Sequence, residues 1–575
     1  MTPRLARRAP GAHQDALAAA GIDRVLARIY AARGVCAPGE LDTSFAALPH
    51  PSLLMGAAAA AERLATAIAH DERIVIVADY DADGATACAL GVRALRGMGA
   101  RVDFIVPNRF VHGYGLTPEI VALAAAGDPA LIVTVDNGIA SVDGVRAAAQ
   151  RGIDVLITDH HLPGAVLPSP AIIVNPNQPG CTFPSRNLAG VGVMFYVLLA
   201  TRARLRDDAR AAGREVALPN LAALLDLVAL GTVADVVPLD AINRALVAQG
   251  LARIRKGAAQ PGIAALFAAA NRATARASAY DLGFVAGPRI NAAGRLDDMT
   301  VGIRCLLADD AHEAGALAAR LSALNTERRA IEATMRDAAM AAIASLDASA
   351  FAAAHSICLV DAAWHQGVVG IVAARLKETY HRPAIVFAPG DDGELKGSGR
   401  SIAGFHLRDA LERVASASPG LLRRFGGHAM AAGLTLDAAD FAAFATAFEA
   451  VAREWLTPAQ LTRTLETDGA LDAGELTLTL ARAIESGVWG QGFPPPRFEG
   501  AFDVVAQRVV GGSHSKLRLA GADGEVDAML FGHAEPLPSR IHAAFRPQVD
   551  RYQGVEALTI IIEHWADAVD PPGSR

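Results

Sequence analysis

Between Arg73 and about Val237 the chain alternates short β-branched runs with Ala- and Leu-rich stretches of helical length, and this rhythm restricts the region to βαβ units around a parallel sheet. The runs predicted as strands are Arg73–Asp79, Arg101–Pro107, Ala130–Asp136, Ile153–Asp159 and Ala171–Asn175. Three of them end on an aspartate. Ligands of an open parallel sheet bind in the crevice beyond the carboxyl ends of its strands, so Asp79, Asp136 and Asp159 are expected to converge on one edge.

With 575 residues the chain is too long for one core and is expected to hold three or four units. Residues 1–70 read as an Ala-rich helical segment and residues 71–308 as the α/β domain. From 309 to 346 a pattern without Pro, and with Gly315 as its one glycine, places Leu317, Leu321, Leu324, Ile331 and Met335 at spacings of three, four and seven, as in one long linking helix. Residues 347–456 read as a smaller α/β domain with strands at Ser356–Asp361 and Pro383–Ala388 and glycine-rich loops at Gly397–Ser401 and Gly426–Gly433. Residues 457–575 alternate like short antiparallel strands with Gly turns, as in a small β-barrel.

The chain is 52% hydrophobic and 20% charged, the balance of a folded protein. Its N-terminus lacks the apolar core and cleavage site of a secretory signal. The most apolar stretch, Leu221–Leu239, carries Asp226 and Asp235, which disfavours a membrane span. Five scattered cysteines with no Cys-x-x-Cys pair indicate neither a disulfide framework nor a zinc knuckle, and a cytoplasmic location is expected. A net charge of −7 and a pI near 6.2 do not advertise nucleic-acid binding, although an acidic site is able to mask a local basic groove.

The sharpest motif is Asp79-Tyr80-Asp81-Ala82-Asp83-Gly84, where a strand gives way to a helix expected to start near Ala85. Carboxylates at alternate positions repel one another unless cations lie between them. An EF-hand loop also begins this way, but its twelfth position requires a bidentate Glu and here holds Leu90. Val135-Asp136-Asn137-Gly138 and Thr158-Asp159-His160-His161 close two later strands and bring further donors to the same edge. Oxygen and imidazole donors of this kind suit Mn²⁺ or Mg²⁺ better than zinc or copper. In Gly231-Thr232-Val233-Ala234-Asp235-Val236-Val237-Pro238 an acid interrupts an apolar stretch. Asp235 reads either as a helix cap or as a buried carboxylate that needs a metal or an Arg.

In order and spacing, DYDADG, VDNG, TDHH and GTVADVVPL resemble the four motifs of the DHH phosphoesterase superfamily. The resemblance implies two divalent ions, Mn²⁺ or Mg²⁺, with Asp81, Asp83, Asp136, His160 and Asp235 as ligands and Asp136 as the bridge between them. Many superfamily members carry a histidine four residues before the first Asp of their Asp-x-Asp. Val77 stands there in this chain, and Asp79 stands closer in, so direct coordination by Asp79 is left open. Asp79, Asp159 and His161 complete the expected catalytic group, the last two contacting phosphate or orienting His160. The implied reaction is phosphodiester hydrolysis by in-line displacement.

Further segments resemble the RecJ branch of that superfamily. Pro107 to Leu116, with Arg109, is similar to the RecJ segment that lines the path of the strand. Gly287-Pro288-Arg289-Ile290-Asn291-Ala292-Ala293-Gly294-Arg295 is similar to another RecJ signature, although Arg289 and Arg295 by themselves read as salt-bridged loop residues. Trp364 to Gly370, Gly397 to Ser401 and Gly426 to Gly433 resemble the DHHA1 domain. The resemblance makes Arg109, Ser398 and Arg400 a pocket for a 5′-phosphate, with Arg289 and His428 as further substrate contacts. The terminal barrel resembles an OB fold, which commonly binds single strands; its Arg508, His514, Lys516 and Arg518 read equally as a solvated strand face.

The implied activity is 5′→3′ exonuclease digestion of single-stranded DNA to mononucleotides in recombination and repair. Such a role implies a helicase and a single-strand-binding protein as partners, though no partner motif stands in the sequence, and the chain is expected to be a monomer. Small-substrate relatives would be shorter and lack the tail. A non-catalytic scaffold would have lost carboxylates that all stand here.

Overall fold

In the computed structural model of the chain, residues 3–107, 115–345, 351, 353–390, 393–551 and 554–568 are described. They divide into two compact units, Arg7–Ser322 with Glu466–Arg575, and Met1–Ala6 with Ala323–Leu465.

The larger unit is built on five strands, β1 (Arg73–Ala78), β2 (Arg101–Ile105), β3 (Leu131–Val135), β4 (Asp154–Thr158) and β5 (Ile172–Val174). They pair in the order β2-β1-β3-β4-β5, all parallel. Helices cover both faces, which is why β1 and β3 read as nearly unbroken apolar runs rather than as alternating ones. One face packs Val75, Val77, Ile132 and Ile157 against α3 (Pro118–Ala125) and α4 (Val142–Ala149). The other face is covered by α2 (Ala82–Gly97) and α5 (Gly190–Ala211), and α1 (Ala57–Ala69) and α6 (Leu225–Ala234) pack on that helical layer. From β1 the chain moves first to β2 on one side and then to β3 on the other, so the switch point lies at the carboxyl ends of β1 and β3.

The three strands expected to end on an aspartate stop one residue short of it, because that aspartate turns out of the strand. The backbone still makes one further rung: Asp79 N–H donates to Val135, Asp136 N–H to Thr158 and Asp159 N–H to Val174. Those bonds hold the three aspartates in register. Helix α2 begins at Ala82, not near Ala85, because the Asp81 carboxylate caps it by accepting the Asp83 and Gly84 N–H groups. The apolar stretch Leu221–Leu239 is a 3₁₀ turn (Leu221–Leu224) followed by α6, and Asp226 is satisfied by the Leu227 and Gln260 N–H groups at 3.0 and 2.5 Å. Among the described residues no single helix is long and apolar enough to cross a membrane.

The first seventy residues are less helical than their alanine content suggests. Pro38 and Pro51 open 3₁₀ turns, and among the described residues only Gln14–Ala19, Arg24–Ala31 and Ala57–Ala69 are α-helical there. Val25 and Ile29 share one core with Phe498, Leu517 and Ile541 of the barrel. Arg33 donates to both Asp468 oxygens at 2.8 and 3.0 Å, with side chains only 1% and 3% exposed. Beside it Tyr30, Trp489 and Phe493 stack, and the Arg244 guanidinium lies 4.1 Å from the Phe493 ring centre.

In the smaller unit the far end of α8 (Ala311–Ala344) packs Met335, Ala339 and Ile343 against Trp364, Val369 and Leu376, the last two on α9 (Val369–Tyr380). The helix is continuous, as its sequence pattern suggests, and the division into units falls within it. A mixed sheet follows the order β9-β10-β8-β7-β6, comprising β6 (Ile357–Val360), β7 (Ala384–Pro389), β8 (Glu394–Arg400), β9 (Arg424–Gly427) and β10 (Ala431–Asp437). The glycine-rich segments expected as loops are therefore largely strands. A Cβ on Gly397 would lie 2.4 Å from the Phe387 ring, and one on Gly399 2.8 Å from Leu407. These glycines admit neighbouring side chains to the sheet.

The carboxyl-terminal strands, β11 (Phe498–Val510), β12 (His514–Gly521), β13 (Gly524–Leu530), β14 (Arg540–Asp550) and β15 (Ala557–Asp567), close into a barrel in the order β11-β12-β13-β15-β14.

Removing one member of a buried ion pair strands the other charge. Arg33→Met is expected to destabilise the larger unit by about 3 kcal/mol in urea unfolding, with Arg33→Met/Asp468→Leu recovering part of the loss.

Candidate active site

Three sets of donor atoms meet beyond β1, β3 and β4: Asp79 with Asp81 and Asp136, Asp136 with His160 and His161, and Asp83 with His160 and Asp235, each set within 4.8 Å. Asp136 and His160 each belong to two sets. His160 Nε2 lies 3.1 Å from Asp136 Oδ1 and 3.4 Å from Asp235 Oδ2. Asp79, whose direct participation the sequence leaves open, is placed among the donors.

Local structure explains how so many carboxylates sit together. Asp81 is held by the amino terminus of α2, and Asp83 by the amino terminus of α5 through the Gly190 and Val191 N–H groups at 2.6 and 2.9 Å. Two helix ends thus present partial positive charge to the cluster. Asp136 adopts a left-handed conformation with φ 61°. Its turn is fixed by Asn137, whose amide donates to Val77 and Val135 carbonyls at 3.2 and 2.9 Å. Asp235 follows the last turn of α6 and faces His160.

Burial pushes the Asp83 carboxyl up to about 7, with Asp81 adding repulsion and the α5 N–H groups opposing it. Asp136 and Asp235 are raised well above the carboxylate range by burial and then by neighbouring aspartates. Like charges buried this closely remain ionised together only when cations sit among them. The donors are carboxylate oxygens and imidazole nitrogens, a set that fits hard divalent ions such as Mn²⁺ or Mg²⁺.

Asp159 stands behind this set. It accepts the Ile139 N–H at 2.9 Å, the His160 and His161 N–H groups at 2.7 and 3.1 Å, and pairs with His161 Nδ1 at 2.7 Å. It therefore orients the ring of His161, whereas it reaches His160 through the backbone. Burial opposes both charges, yet mutual attraction holds Asp159 below and His161 above their ordinary values. The pairing with Asp159 thus favours the charged form of His161 beside the donor cluster.

Several supporting residues escape sequence reading because their partners are remote in the chain. Asn175 and Asn177 donate to the His161 and His160 carbonyls at 2.9 and 2.6 Å. Asn291 Oδ1 accepts the Ala82 N–H at 2.7 Å. Gly190 lets α5 approach Asp136, where a Cβ would lie 2.6 Å from the Asp136 Cβ. The Asn-Gly pair after Asp136 is a legible turn signal; the others carry none.

Arg289 lies on the helix α7 (Gly287–Leu296) rather than in a loop, donating to the Val285 carbonyl at 2.7 Å and to Ser322 Oγ at 3.3 Å. Arg295 is on the same helix. In the smaller unit Ser398 and Arg400 share one face of β8, with Arg400 Nη1 3.2 Å from Ser398 Oγ. A Cβ on Gly370, at the start of α9, would lie 2.8 Å from Ser398 Oγ and 3.1 Å from Arg400 Nη2. Burial lowers the Arg400 pKa, as for a desolvated cation that a bound anion would compensate. His428 is exposed in the turn between β9 and β10. Arg109 lies outside the described residues.

The chain matches the DHH family, N-terminal domain over residues 73–232, the DHHA1 domain over 350–454 and the RecJ OB domain over 467–564. An acidic and histidine-bearing crevice at the switch point of a parallel sheet, followed by these two domains, defines a DHH-type phosphoesterase. The single-stranded-DNA-specific exonuclease RecJ of Dickeya dadantii is 51% identical over 551 residues, covering 94% of this chain and 95% of its own. Crystal structures of RecJ from Thermus thermophilus with Mn²⁺ and with Mg²⁺ superpose with TM-scores of 0.81 and 0.76, at 32% and 30% identity. Each covers 98% of this chain, and they are matched over 79% and 78% of their own lengths. The chain belongs to the RecJ family.

The raised carboxyl pKa values set the pH dependence of the metal-free protein. Unfolded aspartates titrate near 3.9, about 3 units below folded Asp83. Below about pH 4 both states are protonated; above it the unfolded chain loses protons that the folded one keeps, so stability falls as pH rises toward 7. Thermal unfolding in EDTA is expected to show that decline and Mn²⁺ to flatten it. Asp136→Asn should stabilise the metal-free protein at neutral pH by about 1 kcal/mol or more, because folding then no longer requires a proton to be taken up at this position.

Proposed function

We propose that this chain is a divalent-metal-dependent exonuclease that digests single-stranded DNA from its 5′ end to mononucleotides in recombination and repair. The observation that carries this reading is the convergence of Asp79, Asp81, Asp83, Asp136, His160 and Asp235 at one sheet edge in a member of the RecJ family. These six residues would hold the two ions, with Asp136 shared between them. When bound, divalent cations supply Lewis-acid activation of water and neutralise charge on the phosphoryl oxygens.

The remaining steps belong to the protein's own groups. Asp159 aims the His161 ring and favours its charged form, which would donate to a phosphate oxygen. Ser398 and Arg400, beside the amino terminus of α9, bind a terminal 5′-phosphate, and Arg109 is assigned to substrate binding by its motif. A pocket that accepts only a chain end sets polarity and excludes internal starts. Arg289 and His428 are assigned to contacts with the strand. The five free thiols suit the reducing cytoplasm as the place of action.

Mononucleotide release from end-labelled, 5′-phosphorylated single strands with Mn²⁺ or Mg²⁺ tests the reading. Activity is expected to require metal and to fall at least about 10²-fold in Asp136→Ala, as on losing one preorganised electrostatic group. A strand that stays intact while bound would favour a scaffold, and cleavage confined to very short oligomers would favour an oligonucleotidase. Arg400→Ala is expected to erase roughly 10–100-fold of the preference for a 5′-phosphate over a 5′-hydroxyl, measured as a kcat/KM ratio.

A further inference from the structure

The run of helix that leads into α7 carries a feature the catalytic cluster does not use. Tyr280 and Phe284 stack on each other with ring centres 4.8 Å apart and planes at 22°, yet they remain 60% and 69% exposed. Paired aromatics that leave most of their surface in water contribute little to a core, and a clustered exposed patch of this kind marks a binding surface.

The pair is rigidly placed relative to the donor cluster. Phe284 lies in a π-helical turn, Leu282–Ala286, that continues directly into α7. Gly283 and Gly287 seat this run on α6: a Cβ at 283 would lie 3.1 Å from Val233, and one at 287 3.0 Å from Ala234, the residue before Asp235. Farther along, Asn291 holds the Ala82 N–H, and a Cβ on Gly294 would lie 2.0 Å from the Tyr80 carbonyl oxygen. One continuous element therefore touches the Asp235 segment and the Asp79–Asp83 loop and ends in the aromatic pair. At the helical rise, Phe284 stands about 10 Å from Asn291 along that element. Val236, directly after Asp235, is also 61% exposed. Arg272 and Arg276 precede the pair in the chain, with Arg272 3.9 Å from Asp281.

We infer that Tyr280 and Phe284 are a stacking platform for bases of the single strand a few nucleotides from the scissile bond. The inference rests on the nuclease reading above and assigns substrate contacts to residues outside its motifs. Aromatic faces take any base, which fits a strand held without sequence preference. Because the platform shares a rigid element with residues that buttress the acidic loop, stacking there also sets the register of the strand against the cluster.

Steady-state kinetics of the full chain with Mn²⁺ test the inference. Tyr280→Ala/Phe284→Ala is expected to raise KM for a labelled single strand about 10-fold or more, with the smaller part of the effect in kcat, while Tyr280→Phe/Phe284→Tyr stays near wild type. On a strand whose first few nucleotides after the terminal one are abasic, the wild type and the double alanine variant should converge. A double alanine variant with wild-type KM would overturn the platform and leave the patch to a protein partner. An equal loss on intact and abasic strands would also overturn it, since no base would then be sensed. Failure of the wild type itself to degrade the strand would instead sink the nuclease reading.

Discussion

The site depends on one electrostatic constraint: several carboxylates are withdrawn from water within a few ångströms of one another. That arrangement is unfavourable in the protein alone, and the fold is organised to tolerate it. Asp81 and Asp83 face the amino termini of two different helices, where unpaired N–H groups and aligned peptide dipoles offset negative charge. Asp159 is offset by His161 and by three backbone N–H groups. Asp136 and Asp235 are held well above the ordinary range by burial and by the neighbouring aspartates. The strain that remains is what divalent cations relieve, so affinity for metal and low stability without it have the same origin.

Close backbone approach is the second condition. The aspartates converge only because α5, α6 and α7 come nearer to the sheet edge than side chains would allow, at Gly190, Gly231 and Gly294. A Cβ on Gly231 would lie 2.2 Å from Thr86 Oγ and 2.8 Å from Asp83 Oδ1. These glycines are steric requirements of the site rather than hinges. The glycines of β8 perform a different task, admitting Phe387 and Leu407 to the sheet, while Gly370 lets α9 reach Ser398 and Arg400.

Much of the larger unit is legible in sequence because a buried parallel sheet writes itself as unbroken β-branched runs, and because the aspartates stand at the ends of those runs. The departures share a cause. Periodicity places the start of α2 late, since capping by Asp81 depends on a side chain turning back to its own backbone, which periodicity does not report. The glycine-rich segments read as loops because glycine is ambiguous between a turn and a crowded strand, and the neighbour that crowds it is distant in the chain. Alanine content overestimates the extent of helix in the first seventy residues, where prolines and tertiary contacts to the barrel decide the outcome.

By itself the sequence determined the parallel α/β core, the long helix, the barrel and the donor types, since each is written in local periodicity or in residue chemistry at short spacing. Only the tertiary structure decided that Asp79 joins the donors, that Asp159 serves His161 rather than the ring of His160, and that Asn175, Asn177 and Asn291 brace the motifs. It also decided that Tyr280 and Phe284 lie open on the element that buttresses the acidic loop. These outcomes depend on how side chains are placed by packing, much of it between residues far apart in the chain, which local sequence does not encode.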